Sequence, residues 1–147
     1  MGTSDHNRKT DSYFIDRVGI ELKRAERYRI FVSVLILDVG AVAQTTSSKA
    51  PSVMDDLVGI IRKHIRAIDN ISVLDPYRVA VLLPETARQG AEIASRRITE
   101  LIRNNLSDDN GRRFDQVIPL EMASYPDAAG AMSINDFLRE YSEKNLN

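Results

Sequence analysis

The sequence has no cysteine, which excludes a disulfide framework and any thiolate metal site. Its two histidines, His6 and His64, are far apart along the chain, so we expect no zinc site and no nucleophile–base pair built on histidine. No apolar run approaches the roughly 20 residues that a membrane helix needs. The polar residues 1–11 also lack the apolar core of a signal peptide. We therefore expect a cytoplasmic protein with no membrane insertion, no metal and no cofactor.

The sequence also has no excess of positive or of negative charge. The 20 lysines and arginines nearly balance the 21 aspartates and glutamates, and the net charge of −1 gives no reason to expect a nucleic-acid polymer as partner. What is present is an ordinary globular composition, with 43% apolar and 28% charged residues in a chain that fits one domain. We expect residues 1–11 to form a flexible leader and residues 12–147 to form the domain.

Hydrophobic periodicity predicts that helices and strands alternate along the domain. The predicted elements are a helix through residues 14–25, a strand at 30–37, a loop at 40–51, a helix through 53–65, strands at 71–74 and 79–83, a helix at 87–106, a strand at 117–122 and a last helix capped by Ser133. The turn Asp75-Pro76-Tyr77 joins the second and third strands into a hairpin. This order predicts an α/β (α+β) fold, in which helices flank a mixed, antiparallel-containing central sheet in a ferredoxin-like or palm arrangement.

Several local strings occur in a particular order. They are ELKRAER at 21–27, SVLILD at 33–38, RAID at 66–69, AVLLPET at 80–86 and ASRRI at 94–98. Their order and spacing resemble the GGDEF domain of bacterial diguanylate cyclases, whose pattern runs E-x-x-R-A-x-R, L-D-I-D, R-x-x-D, R-Y-G-G-D-E-F, A-V-L-L-P-x-T and A-E-R-I-R. The resemblance covers residues 12–144 and implies a sheet of the nucleotidyl-cyclase type. Where the catalytic residues are present, it also implies the joining of two GTP molecules into cyclic di-GMP.

Most of the residues that this chemistry requires are replaced. Phosphoryl transfer of this kind uses two metal ions held by carboxylates. Asp38 matches the first metal-binding aspartate of the family, but the second falls at Gly40, and the G-G-D-E-F positions hold Asp75-Pro76-Tyr77-Arg78-Val79. The cation Arg78 opposes metal binding, and the family's substrate loop becomes the featureless segment 40–51. We therefore predict a degenerate domain with no catalytic residues, and interpret Asp38 as a remnant or as a strand-end residue bonded to backbone.

The R-x-x-D string matches an inhibitory site at which many family members bind their product. Here it consists of Arg66 and Asp69. A guanidinium can bond a phosphate or the O6 and N7 atoms of guanine, and a carboxylate can accept from guanine N1–H and N2–H₂. Arg97 and Arg24 match two accessory arginines, the second of which reaches across from a neighbouring domain. The resemblance thus implies a cyclic di-GMP receptor in which the ligand cross-links two domains, as in a homodimer.

A simpler interpretation stays open for each of these residues. Arg66 would end a helix, where a cation suits the helix dipole, and Asp69 would make local turn bonds. Arg97 and Arg24 would be solvated charges on helix faces. The alternative function is a scaffold that binds no nucleotide and that dimerises or docks a protein partner. The replaced residues argue against an active cyclase and against GTP binding without turnover.

Overall fold

The computed structural model describes residues 2–45, 50–106, 117–126 and 132–146. Within these ranges the elements, in chain order, are α1 (Gly2–Tyr28), β1 (Val32–Asp38), α2 (Gly40–Thr45), α3 (Ala50–Arg62), β2 (Asn70–Asp75), β3 (Arg78–Pro84), α4 (Arg88–Asn105), β4 (Leu120–Tyr125), β5 (Met132–Ser133) and α5 (Ile134–Leu146). No helix among the described residues has the length and apolar character needed to span a bilayer.

The strands form one mixed sheet in the order β2-β3-β1-β4-β5. The strand β1 is antiparallel to both β3 and β4, whereas β4 and β5 are parallel. Every residue of β1 from Val32 to Leu37 is buried. A strand covered on both faces has no polar side, which is why this segment is a continuous apolar run in the sequence. The predicted mixed sheet flanked by helices is confirmed.

Alternate residues of β1 belong to two separate cores. Leu35 and Leu37 lie in a core with apolar residues of α3 and α4, which include Leu57, Ile61, Ile98 and Ile102. Val34 and Ile36 lie in a second core with α1 and α5, which includes Phe14, Val18, Leu22 and Phe137. Burial of each such side chain contributes about 1.5–3 kcal/mol. Both helical layers are therefore fixed to the sheet, and with them the surface residues of α1, α3 and α4.

The segment after β1 is not the predicted loop, since Gly40–Thr45 forms the short helix α2 and Ala50 begins α3. Two local causes are visible. The Asp38 carboxylate accepts a hydrogen bond from the Gly40 N–H at 2.9 Å, as an N-cap residue does, and Val42 is fully buried. Residues 46–49 of the predicted loop lie outside the described residues.

Two other boundaries differ from the predictions. The backbone of residues 2–11, which the sequence assigns to a flexible leader, is helical and belongs to α1. The strand β4 begins at Leu120, after Pro119, because proline has no N–H to donate within a sheet. The predicted cap of the last helix is confirmed. Ser133 Oγ accepts from the Asp136 N–H at 3.0 Å, and the Asp136 carboxylate accepts from the Ser133 N–H at 3.4 Å, which is a capping-box arrangement.

Candidate functional site

Arg66 and Asp69 lie in the turn between α3 and β2. The Arg66 N–H donates to Asp69 Oδ2 at 2.8 Å, and the Asp69 N–H donates to the Arg66 carbonyl at 3.0 Å. The side chains also pair, with Arg66 Nη2 2.8 Å from Oδ1 and Nε within 3.2 Å of both carboxylate oxygens. The pair is side-on and charge-assisted, a geometry that fixes the orientation of the guanidinium. The R-x-x-D string is therefore a self-paired unit within one turn.

The two members of this pair differ in exposure. The side chain of Asp69 is 3% exposed, whereas that of Arg66 is 50% exposed. Both oxygens of the buried carboxylate already accept N–H groups of Arg66. The predicted role of Asp69 as an acceptor for guanine would require this nearly buried carboxylate to exchange N–H donors that it already has, which costs free energy. In this geometry Asp69 positions Arg66, and Arg66 faces the solvent.

The end of β3 holds the other side of the guanidinium. Arg66 Nη2 donates to the Pro84 carbonyl at 2.9 Å and to Thr86 Oγ1 at 2.7 Å. The Thr86 carbonyl in turn accepts from Ser33 Oγ at 2.8 Å, which ties this segment to β1. Arg66 Nη1 makes no hydrogen bond to any described residue. Sequence reasoning did not assign Pro84 and Thr86 to the site, although both fall within the L-L-P-x-T string.

An open cleft of about 760 Å³ lies between this turn and α4, and both Arg66 and Asp69 line it. Arg97 lines it as well, and its Nη2 donates to the His64 carbonyl at 3.2 Å. The remaining lining includes Lys63, Leu83, Glu85, Ile93, Ala94 and Ile98. A volume in this range, with an apolar floor and a few convergent polar groups, is typical of small-molecule sites. The structure therefore brings together three of the four predicted site residues.

Arg24, the fourth predicted residue, does not line the cleft. It lies on α1, where its Nη1 is 3.3 Å from Glu21 Oε1 and 3.5 Å from Glu85 Oε2. The Glu21 side chain is buried and is also paired with Arg17 at 3.0 Å. Glu85 lines the cleft, so its ion pair with Arg24 places Arg24 next to the rim of the cleft.

A second pocket of about 440 Å³ is lined by Asp38, Gly40 and residues 75–78, the positions that the resemblance matches to the family's catalytic residues. Arg78 is the β-ladder partner of Asp38. Its Nη1 donates to Tyr141 Oη at 2.8 Å, and its Nε lies 3.4 Å from Asp75 Oδ2. The Tyr141 hydrogen bond and the nearby Asp75 and Asp38 charges raise the pKa of Arg78 above its ordinary value. A fixed guanidinium therefore lies beside both carboxylates of this pocket.

The two metal ions that the resemblance implies do not fit this pocket. Asp38 accepts the Gly40 N–H, and Asp75 Oδ1 accepts the Tyr77 N–H at 2.9 Å. Across the part of the chain that the structure describes, no three acidic or histidine side chains are grouped so as to hold a metal ion. The prediction that Asp38 is a strand-end residue bonded to backbone is confirmed.

No protein-family model matches the sequence, and no curated protein sequence matches it. Solved structures do match. The GGDEF domain of YfiN (also called TpbB) from Pseudomonas aeruginosa has 19% identity and a TM-score of 0.68, covering 92% of this chain and 80% of that one. The FimX GGDEF domain from the same organism has 16% identity and a TM-score of 0.67, with 91% and 84% covered. The diguanylate cyclase SiaD, solved with its activator SiaC, has 15% identity and a TM-score of 0.69, with 92% and 52% covered. The chain therefore has the fold of GGDEF domains, as the local strings predicted.

Proposed function

We propose that this chain is a bacterial, cytoplasmic signalling domain of GGDEF type that binds cyclic di-GMP and does not synthesise it. The observation that carries the proposal is the convergence of Arg66 and Arg97 on one cleft of about 760 Å³. Arg66 lies in the turn between α3 and β2, whereas Arg97 lies on α4, far from it in the sequence. Their meeting is a property of the fold, which the neighbouring GGDEF domains share.

The chemistry of the cleft suits a cyclic dinucleotide. Arg66 offers Nη1, and Arg97 is an exposed cation, so the two guanidinium groups supply donors for phosphate oxygens or for guanine O6 and N7. Leu83, Ala94 and Ile98 give the lining an apolar portion, against which a base can pack. Asp69 contributes by holding Arg66 in a single orientation.

The second pocket supports the absence of cyclase activity. Catalysis of this reaction needs carboxylates that hold metal ions at the reacting phosphates. In this pocket Arg78 provides a positive charge next to Asp38 and Asp75, and Gly40 provides no carboxylate. The positive charge of Arg78 weakens metal binding by these carboxylates, and a ligand is missing at Gly40.

Arg24 supports a role for the ligand between two copies of the domain. It is 45% exposed and lies on α1, next to the rim of the cleft rather than inside it. A ligand held by Arg66 and Arg97 of one copy can meet Arg24 of another copy without any change inside the first cleft. We propose that cyclic di-GMP joins two copies in this way.

The second candidate function is a scaffold that binds no nucleotide. Tyr13 and Ile20 are seven residues apart on α1, so they share one helix face, and they are 69% and 55% exposed. Exposed apolar residues on one face suit a protein partner. The neighbour SiaD was solved in complex with a protein partner, its activator SiaC.

Isothermal titration of cyclic di-GMP into the purified domain tests the proposal. We expect dissociation constants in the micromolar range or below, loss of binding in Arg66→Ala and Asp69→Ala, and no binding of GTP with Mg²⁺. Circular dichroism melts of both variants separate lost binding from lost folding. Absence of heat and of any thermal shift at high ligand concentration would contradict the receptor and favour the scaffold.

A further inference from the structure

Glu85 follows β3 directly and has an uncommon backbone conformation. Its φ is 54°, in the left-handed region that residues other than glycine seldom adopt. Such a conformation persists where the surrounding structure holds it in place. Here the flanking residues Pro84 and Thr86 both accept hydrogen bonds from Arg66 Nη2. The backbone of Glu85 is therefore held in a fixed relation to the guanidinium of Arg66.

Among the described residues, Asp69 and Glu85 are the carboxylates that line the cleft, and they differ in how accessible they are to a ligand. The Asp69 side chain is 3% exposed and accepts several N–H groups of Arg66. The Glu85 side chain is 51% exposed, and its partner is Arg24 at 3.5 Å, which is itself 45% exposed. An exposed ion pair at this distance contributes little, so a ligand can replace Arg24 at small cost. The carboxylate that a ligand meets first is that of Glu85.

We infer that Glu85 determines the base specificity of the cleft by accepting hydrogen bonds from guanine N1–H and N2–H₂. The inference rests on the proposed binding of cyclic di-GMP and deepens it. Guanine presents acceptors at O6 and N7 and donors at N1 and N2. The cleft offers the guanidinium of Arg66 and, on the backbone held beside it, the exposed carboxylate of Glu85. Arg66 matches the acceptors and Glu85 matches the donors.

The same arrangement discriminates against adenine. Adenine has a lone pair at N1 and no amino group at C2, so the Glu85 carboxylate would face an acceptor rather than two donors. A site whose polar group is left unpaired by the wrong ligand rejects that ligand strongly. Glu85 therefore favours guanine over adenine in the part of the cleft that it lines.

Titration of cyclic di-GMP and of cyclic di-AMP into the wild type and into Glu85→Gln tests this assignment. We expect the wild type to bind cyclic di-GMP at least about tenfold more tightly than cyclic di-AMP. In Glu85→Gln the affinity for cyclic di-GMP should fall about tenfold, since a charge-assisted hydrogen-bond pair becomes a neutral one, while binding of cyclic di-AMP is unchanged. Glu92→Gln is the matched control, because Glu92 is 44% exposed, is paired with Arg88 and does not line the cleft.

The possible outcomes distinguish the role of Glu85 from the proposed binding of cyclic di-GMP on which it rests. If the wild type binds cyclic di-GMP and Glu85→Gln binds it equally or more tightly, Glu85 does not read the base, and the receptor function stands without it. Equal wild-type affinity for the two dinucleotides overturns the specificity in the same way. If the wild type binds neither ligand, the proposed function fails and the inference fails with it.

Discussion

Nη2 of Arg66 lies 2.8 Å from Oδ1 of Asp69, and the backbone N–H of Arg66 lies 2.8 Å from Oδ2 of the same carboxylate. One buried side chain thus accepts from both the backbone and the side chain of a residue three positions earlier. This arrangement makes Asp69 part of the fold as well as part of the site. It also explains how a half-exposed arginine keeps one orientation at the edge of an open cleft.

Asp69→Ala is expected to destabilise the domain. The substitution leaves the Arg66 N–H without its acceptor and releases the guanidinium, which should lower the free energy of unfolding by about 1–3 kcal/mol. Urea denaturation followed by circular dichroism measures the change. Asp55→Ala is the control, because Asp55 is an exposed residue of α3, and its replacement should change stability by less than about 0.5 kcal/mol. Equal midpoints for the two variants would contradict the role of Asp69 in the turn.

Arg24→Ala is expected to separate binding from cross-linking. Arg24 does not line the cleft, so affinity for cyclic di-GMP at one site should stay within about threefold of wild type, a difference of under 1 kcal/mol. The ligand-dependent dimer should be lost, because its contact from the second copy is removed. Sedimentation velocity with and without ligand measures this, with the exposed Arg27→Ala on the same helix as control. A dimer that persists in Arg24→Ala would remove Arg24 from the site.

The stability of the domain is expected to depend on pH in the alkaline range, because the Tyr141 phenol titrates there. Burial raises the pKa of Tyr141 above its ordinary value, although the neighbouring Arg78 partly opposes this. In the unfolded chain the phenol titrates near its ordinary pKa of about 10, so above that pH the unfolded state holds fewer protons than the folded state. Stability should therefore fall as pH rises through this window.

The comparison with Tyr141→Phe isolates this contribution. Urea midpoints from about pH 8 to about pH 11 should fall more steeply for the wild type than for the variant, which has no phenol to titrate. The variant should also be less stable at about pH 8, because Arg78 Nη1 loses the acceptor that lies at 2.8 Å. If the urea midpoint depends on pH equally steeply in the wild type and in Tyr141→Phe, the pKa of Tyr141 is the same in the folded and unfolded states, which would contradict the prediction.

The domain is expected to make no cyclic di-GMP from GTP. The positive charge of Arg78 lies beside Asp38 and Asp75, and Gly40 supplies no ligand, so neither Mg²⁺ nor Mn²⁺ should support turnover. Chromatography of overnight reactions at micromolar enzyme concentration measures product. Arg78→Ala should be equally inactive, since removing the cation restores no carboxylate. Product formed by the wild type would contradict the interpretation of this pocket.

Local patterns predicted much of the fold because their causes are local. The apolar run before Asp38, the Asp75-Pro76 turn and the Ser133 cap each depend on neighbouring residues. The helix α2 was missed because its start depends on the Asp38 side chain and its burial depends on Val42 packing among distant residues. A helix of six residues is too short for its hydrophobic pattern to indicate contacts with residues far away in the sequence.

The candidate site was predicted only in part, for the same reason. Arg66, Asp69 and Arg97, which the strings assigned to one site, line one cleft. The hydrogen bonds from Arg66 to the end of β3 join residues 18 and 20 positions apart, and the burial of the Asp69 side chain is likewise a property of the folded chain. A spacing pattern identifies which residues a site contains, whereas the partner that each one already has becomes visible only in the folded chain.

The central claim, that cyclic di-GMP binds in this cleft, is tested most directly by titrating it into Arg97→Ala and Arg96→Ala. Both residues are exposed arginines next to each other on α4, but only Arg97 lines the cleft. The two variants have the same charge and comparable helical propensity. The account predicts that Arg97→Ala weakens binding about tenfold or more and that Arg96→Ala binds like the wild type. Equal affinities for the two variants would contradict it.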